Sequence, residues 1–226
     1  TVCLRDVNAG AGTLVFDGQG NPTTYTPLVL PPGYTFDNIV LRNQARVLGD
    51  EPIVVNDSLE VLTGSILTHS TESEAGLSIT ARRVKVDETS AIDVSSRGYR
   101  GGGRDGNTEC PGLTLGGLPG APYRAGASYG GHGSAGSSHP PNPPYGHPAQ
   151  PVYLGSGGGC SDYGYRGGNG GGRVQIDAGE RVVVNGAIRA DGGAGNGYDA
   201  GSGSGGSIRI DTSLLMGTGA ITATGG

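Results

Sequence analysis

Pairs of apolar residues two apart, set in threes, recur along this chain and limit its fold more than any other feature. One set is Leu77 and Ile79, Val84 and Val86, Ile92 and Val94. A second is Val174 and Ile176, Val182 and Val184, Ile188 and Ala190; a third is Ile208 and Ile210, Leu214 and Met216, Ile221 and Ala223. An earlier copy reads Ile53 and Val55, Leu59 and Val61, Ile66 and Thr68. A spacing of two puts both side chains of a pair on one face of a strand. Turn residues such as Asn185-Gly186 and Gly217-Thr218-Gly219 separate the pairs.

Three short strands per unit predict an all-β chain, a parallel β-helix (solenoid) of three-strand coils. A single coil cannot bury its inward stripe, so coils must stack. A β-sandwich is the alternative, but the inward pairs are too short for long hairpins. The step from Ile53 to Leu77 is 24 residues, whereas Leu77 to Val174 is 97 and Val174 to Ile208 is 34. The extra length falls after the third strand each time. Long glycine-rich insertions, 98–172 and 191–206, are therefore expected at one corner of a 36–226 domain. Residues 1–35 read as a capping or assembly segment, with Val2, Leu4, Val7, Leu14, Val15 and Phe16 as apolar cover. The last coil has no such cover. Either another copy of the chain stacks on it, giving a filament by head-to-tail self-association, or further residues follow.

Glycine supplies 47 of 226 residues, against an ordinary share of roughly 7%. It does not fall at every third position, which excludes collagen. No apolar run reaches the roughly 18 residues of a membrane span, and a pI of 5.3 argues against a nucleic-acid partner. The larger insertion holds seven of the ten tyrosines and the proline run 139–145. It is either a mobile loop or a set of extended, polyproline-like strands packed side by side, for which only glycine is small enough. Cys110 and Cys160 bracket much of it. A disulfide between them would stabilise by about 4 kcal/mol and needs an oxidising compartment; three free thiols are the alternative. Cys3 is left over, free or paired with another chain. Thr1 reads as a mature terminus after removal of a signal peptide, so a secreted or cell-surface location is expected.

The insertions carry the candidate chemistry. Tyr99-Arg100, Tyr123-Arg124 and Tyr165-Arg166 repeat as dipeptides, with Tyr163 and Tyr198 nearby in sequence. Tyrosine offers a face for a sugar ring, and arginine clamps carboxylates, so together they suit a polysaccharide, acidic ones included. Alternatively these side chains stack on one another as the only core the insertion has. Asp177 and Asp211 hold matching positions and should stack on successive coils, able to share a cation or proton or simply to accept turn hydrogen bonds. Asp191 and Asp199 flank the second insertion without an evident base. His132, His139 and His147 match no compact metal spacing. No catalytic residue, metal or cofactor is assigned. Lys85 should point outward, and Asn56-Asp57-Ser58 is a glycosylation sequon expected at an exposed turn.

The cycle Gly-Gly-Ser-Ile208-Arg-Ile210-Asp, then Gly-Thr-Gly-Ala-Ile221-Thr-Ala223-Thr-Gly-Gly, resembles the glycine-rich repeats of bacterial cell-surface proteins. Those repeats are similar in style to right-handed β-helices of the pectate-lyase-like superfamily. The resemblance spans roughly residues 36–226 and implies an extracellular setting and a carbohydrate-facing role. The expected function is that of an extracellular structural or assembly protein. A glycan-binding adhesin module is the alternative, and a polysaccharide lyase or hydrolase the second alternative.

Overall fold

The computed structural model describes residues 2–4, 10–30, 34–136 and 139–226, with residues 2–4 described by their backbone. The side chains of Val2, Cys3 and Leu4, and all of Val7, lie outside the described residues, and with them that part of the expected N-terminal cover and the fate of Cys3. The chain is all-β, with one short 3-10 turn at Leu115–Gly117. Its strands are β1 (Val2–Leu4), β2 (Thr13–Asp17), β3 (Thr26–Pro27), β4 (Phe36–Arg42), β5 (Arg46–Leu48), β6 (Ile53–Val61), β7 (Ile66–Thr68), β8 (Leu77–Val86) and β9 (Ala91–Asp93). They continue with β10 (Leu113–Thr114), β11 (Leu118–Pro119), β12 (Arg173–Val184), β13 (Ala187–Arg189), β14 (Ser207–Thr212), β15 (Leu215–Met216) and β16 (Ala220–Thr222).

Two sheets form, and the chain alternates between them. The first runs β1-β2-β4-β6-β8-β12-β14, with β15 also on β12; the second runs β16-β13-β9-β7-β5-β3. Every pairing in these sheets is parallel except β1 with β2. Strands β2 and β3 extend the two sheets back to Thr13 and Thr26, and β1 adds to the first, all inside the segment read from sequence as a cap. A separate hairpin, β10 with β11, lies in the larger insertion.

Equivalent apolar pairs line up as their spacing requires. Leu77, Val174 and Ile208 share one row and Ile79, Ile176 and Ile210 the next. Val84 pairs with Val182, and Ile92 with Ile188 and, through it, Ile221. These side chains other than Ile221, with Leu59, Val61 and Leu67, close into one core; most are fully buried, Ile208 and Ile210 pack partly buried against it, and Ile221 is half exposed. The unit from Ile208 keeps three strands, β14, β15 and β16. In the units from Ile53, Leu77 and Val174 the first and second are one long strand, bent by a register shift between Ala178 and Arg181 in β12 and between Val54 and Ser58 in β6. That shift also moves Ile53 opposite Ile79 rather than Leu77. The sequon falls on the bend within β6 rather than at a turn; Asn56 is exposed there and donates to Asp37.

Both insertions leave after a strand of the second sheet, β9 or β13, and merge. Gly168 N–H donates to the Gly201 carbonyl, Gly193 to Asn169 and Gly171 to Ser204, each across the two insertions. Along residues 200–206 the bonded neighbour repeats every third residue: Gly201 and Ser204 donate to the 155–160 segment, Gly203 and Gly206 to the 190–193 segment. A period of three is that of the polyproline II helix, which has no internal hydrogen bonds and must find partners laterally. The glycine stretch is thus an ordered array of side-by-side threefold strands. Steric room explains its composition. A Cβ on Gly168 would lie 1.8 Å from the Gly193 carbonyl oxygen, and one on Gly159 1.8 Å from that of Pro122. Cys110 and Cys160 form the expected disulfide within this array, and the Cys160 N–H also donates to the Cys110 carbonyl.

Candidate functional site

Three of the seven tyrosines of the larger insertion, Tyr99, Tyr129 and Tyr145, are sunk into it. Tyr99 is buried; its hydroxyl donates to Glu74 at 2.5 Å and accepts from the Gly116 N–H. Burial, then the bond to Glu74, pushes its phenol well above the ordinary range. Arg100 pairs with Glu72 at 2.8 Å and also donates to the Asp105 carbonyl. Tyr129, Tyr145 and Tyr153 stack in series, with ring centroids 4.9 and 6.2 Å apart. Tyr145 donates to the Leu154 carbonyl, and burial pushes its hydroxyl up to about 12. Tyr123, half exposed, faces the His139 ring at 6.5 Å.

The remaining candidates other than Arg166 meet at the tip of the array. Tyr163 and Tyr198, 67% and 69% exposed, pack edge to face at 6.1 Å. Arg124 sits 5.8 Å from the Tyr163 ring centroid and pairs with Asp162 at 2.8 Å and Asp199 at 3.2 Å. Tyr165 covers Gly197, where a Cβ would strike its ring at 2.4 Å and where φ is +119°. Arg166 is exposed, and its carbonyl accepts from Asn196 N–H, tying the 161–166 loop to the 196–199 loop. Three loops far apart in sequence thereby place Arg124, Tyr163, Tyr165 and Tyr198 together, while the Arg166 side chain lies beside Gly103 and Arg104, Tyr99 and Arg100 lie apart and Tyr123 turns toward His139.

Anchorage of the tip is backbone-driven. Arg124 has φ +60° and Asp199 φ +59°, left-handed conformations that turn the chain sharply at the two loop ends. The Arg124 N–H donates to the Cys160 carbonyl, next to the disulfide. A depression of about 440 Å³ opens beside Arg124 and Asp199, with Gly136 and Ser202 on its walls. Chemically the tip offers two aromatic faces, a guanidinium and two carboxylates; Asp162, 60% exposed, keeps lone pairs free for a hydroxyl donor. Asp162 carried no signal in sequence beyond its place before Tyr163.

Elsewhere the acidic candidates are committed to neighbours. Asp177 and Asp211 do share a row, but Asp177 accepts from Gln175 and Asp211 pairs with Arg209 at 2.7 Å. Asp191 accepts from the Thr222 hydroxyl and the Thr224 N–H, fastening the last residues to the array. Among the described residues no three His, Cys, Asp or Glu side chains converge as metal ligands. His69, which the sequence reading passed over, is fully buried where the larger insertion returns to β12. Its Nε2 accepts from the Arg173 N–H at 3.1 Å and its Nδ1–H donates to the Ser70 carbonyl at 2.7 Å. Desolvation holds its pKa below the ordinary value. Among the described residues no helix is long and apolar enough to cross a membrane. No known family, curated protein or solved structure matches the chain.

Proposed function

We propose that this chain is an extracellular carbohydrate-binding module, built as a parallel β-helix solenoid that carries a slab of glycine strands with its binding site at the tip. The single observation behind this reading is the meeting of Tyr163, Tyr198 and the Arg124–Asp162–Asp199 cluster from three distant loops. Exposed aromatic rings in a group mark an interaction surface, and a ring face with a polar rim suits a sugar, apolar on one side and hydroxylated on the other. Arg124 is already neutralised by two carboxylates, so the tip favours a neutral glycan, whose hydroxyls donate to Asp162 and Asp199, over an acidic one. The disulfide is compatible with an oxidising, extracellular setting. A glycan array probed with the wild-type chain and with a Tyr163→Ala/Tyr198→Ala variant tests the proposal. Binding to neutral glycans, lost in the variant, supports it; no binding, or binding unchanged by the variant, contradicts it.

A second reading, a structural protein that self-associates end to end, draws on a different surface. Leu214, Leu215, Met216 and Ile221 are each about half exposed on and beside β15 and β16. Light scattering of the chain against a Leu215→Ser/Met216→Ser variant tests it: concentration-dependent oligomers that the variant abolishes support assembly, and a monomer at high concentration contradicts it.

A further inference from the structure

The 200–206 segment lies deep in the glycine array, and its hydrogen bonds show how the array is filled around it. A threefold helix sends its N–H groups out in three directions about 120° apart, with its carbonyls between them, so a strand can have six lateral neighbours. One N–H direction is taken by the 155–160 segment, which accepts from Gly201 and Ser204, and the next by 190–193, which accepts from Gly203 and Gly206. The carbonyl directions are also occupied. Gly201 and Ser204 accept from Gly168 and Gly171, Gly203 from Gly226, and Ser202 from Ala127.

These five neighbours form a broken ring. The 121–127 segment bonds to 155–160 through Gly159 and Ala125, 155–160 to 166–172 through Gly158 and Gly168, 166–172 to 190–193 through Gly193 and Asn169, and 190–193 to 223–226 through Gly192 and Thr224. The ring stays open between 223–226 and 121–127. That gap is the third N–H direction, into which Ser202 and Gly205 point. Neither of these two N–H groups has an acceptor among the described residues. Ser202 and Gly205 are half-buried, while Gly201, Gly203, Ser204 and Gly206 are buried. A groove of about 600 Å³ lies at this position, floored by residues 202–206, with Ala127 and Gly226 on its sides and Tyr129 and Tyr145 along it.

We propose that this groove is a docking site for one further glycine-rich strand, supplied by a partner chain in the threefold extended conformation. Its carbonyls, three residues apart, accept from Ser202 and Gly205. The spacing selects the conformation: donors three residues apart on such a helix are separated by about 9 Å, which another polyproline II strand repeats and a β-strand does not. Glycine is selected by the approach distance. On the occupied sides of the same segment a Cβ on Gly203 or Gly205 would stand 2.0 or 2.1 Å from a neighbouring carbonyl oxygen, and a sixth strand at equal spacing meets the same limit.

The test is a titration of the isotope-labelled full chain with a synthetic peptide repeating the Gly-Gly-Asn of residues 167–169, followed by amide NMR. The expected result is shifts at Ser202 and Gly205 with at least about tenfold slower solvent exchange at both N–H groups. Ser202→Pro removes one donor that the free chain leaves unused, along with a 3.4 Å bond from Gly195 N–H to the hydroxyl. It is expected to keep the fold and to weaken the peptide by about tenfold, the worth of one lost hydrogen bond with its partner left unpaired. Should that variant fail to fold, the wild-type exchange data decide alone. No change at Ser202 and Gly205 up to millimolar peptide, or equally tight binding of decaproline, which has no glycine, overturns the proposal.

Discussion

Gly158 lies against Gly201 so closely that a Cβ on Gly158 would stand 2.2 Å from the Gly201 carbonyl oxygen. The two residues belong to different insertions, yet the array leaves room between them for a hydrogen atom and nothing larger. Gly158→Ala is therefore expected to destabilise the protein by at least about 3 kcal/mol, since the obstructing atom is backbone and cannot rotate away. Gly116, with φ +73° and nothing within 4 Å of an added Cβ, serves as the control. Gly116→Ala should cost about 1 kcal/mol, the strain of a left-handed alanine. Denaturant midpoints of the two variants check the contrast.

Removing the disulfide should loosen the array and spare the sheets. The link closes a loop of 50 residues, and Cys110→Ser/Cys160→Ser is expected to lose about 4 kcal/mol by the chain-entropy account. Hydrogen exchange should rise more across 111–159 than in β8 or β12, whose core is independent of it.

Stability should fall on both sides of neutrality. His69 is held neutral by burial, with Arg97 and Arg173 disfavouring its charge and Asp50 favouring it. A base with a lowered folded pKa takes up protons more readily when unfolded. Its contribution is therefore full above the ordinary histidine value of 6.5 and is lost as pH falls below it. Tyr145, raised from 10.0 to about 12, behaves in the opposite sense: its contribution is full below pH 10 and is lost as pH rises toward 12. Unfolding midpoints between pH 4 and 6.5, compared with a His69→Gln variant, should show a smaller acid loss in the variant.

Tyr163 and Tyr198 should matter for binding and little for folding. Both are more than 60% exposed, so Tyr163→Ala/Tyr198→Ala should change stability by less than about 1 kcal/mol. Tyr99→Phe removes the buried bonds to Glu74 and Gly116 and should cost about 1–3 kcal/mol without touching the tip. Thermal melts of the two variants side by side check this division between display and core.

The sheets were legible because their core repeats. Leu77, Val174 and Ile208 share a row as their positions in the repeat require. Besides the two-residue displacement of Ile53 at the bend of β6, the errors in register are one-residue slips in the shortest strands. Ile66 pairs with Ala91 while its neighbour Leu67 is the buried residue, and Leu215 rather than Leu214 stands opposite Val182. In a strand of two or three residues with adjacent apolar side chains, period two does not say which one faces inward. The packing of the glycine stretch could be stated only as one of two outcomes, because its bonds join residues such as Gly168 and Gly201 with no side chain to mark the register. The Tyr-Arg dipeptides drew attention to the insertions. Which of them would be sunk depended on Glu72 and Glu74, more than twenty residues upstream of the Arg100 and Tyr99 they respectively meet.

The tip and the groove both require the glycine strands to form a fixed array. Amide hydrogen exchange of the intact chain tests this most directly. The N–H groups of Gly158, Gly168, Gly171 and Ser204, each bonded to a carbonyl in a neighbouring segment, should exchange as slowly as those of β8 and β12, with Ser202 and Gly205 as fast exceptions among them. Uniform exchange across 155–172 and 200–206 at the rate of an unstructured peptide would contradict the array, and with it the site at its tip.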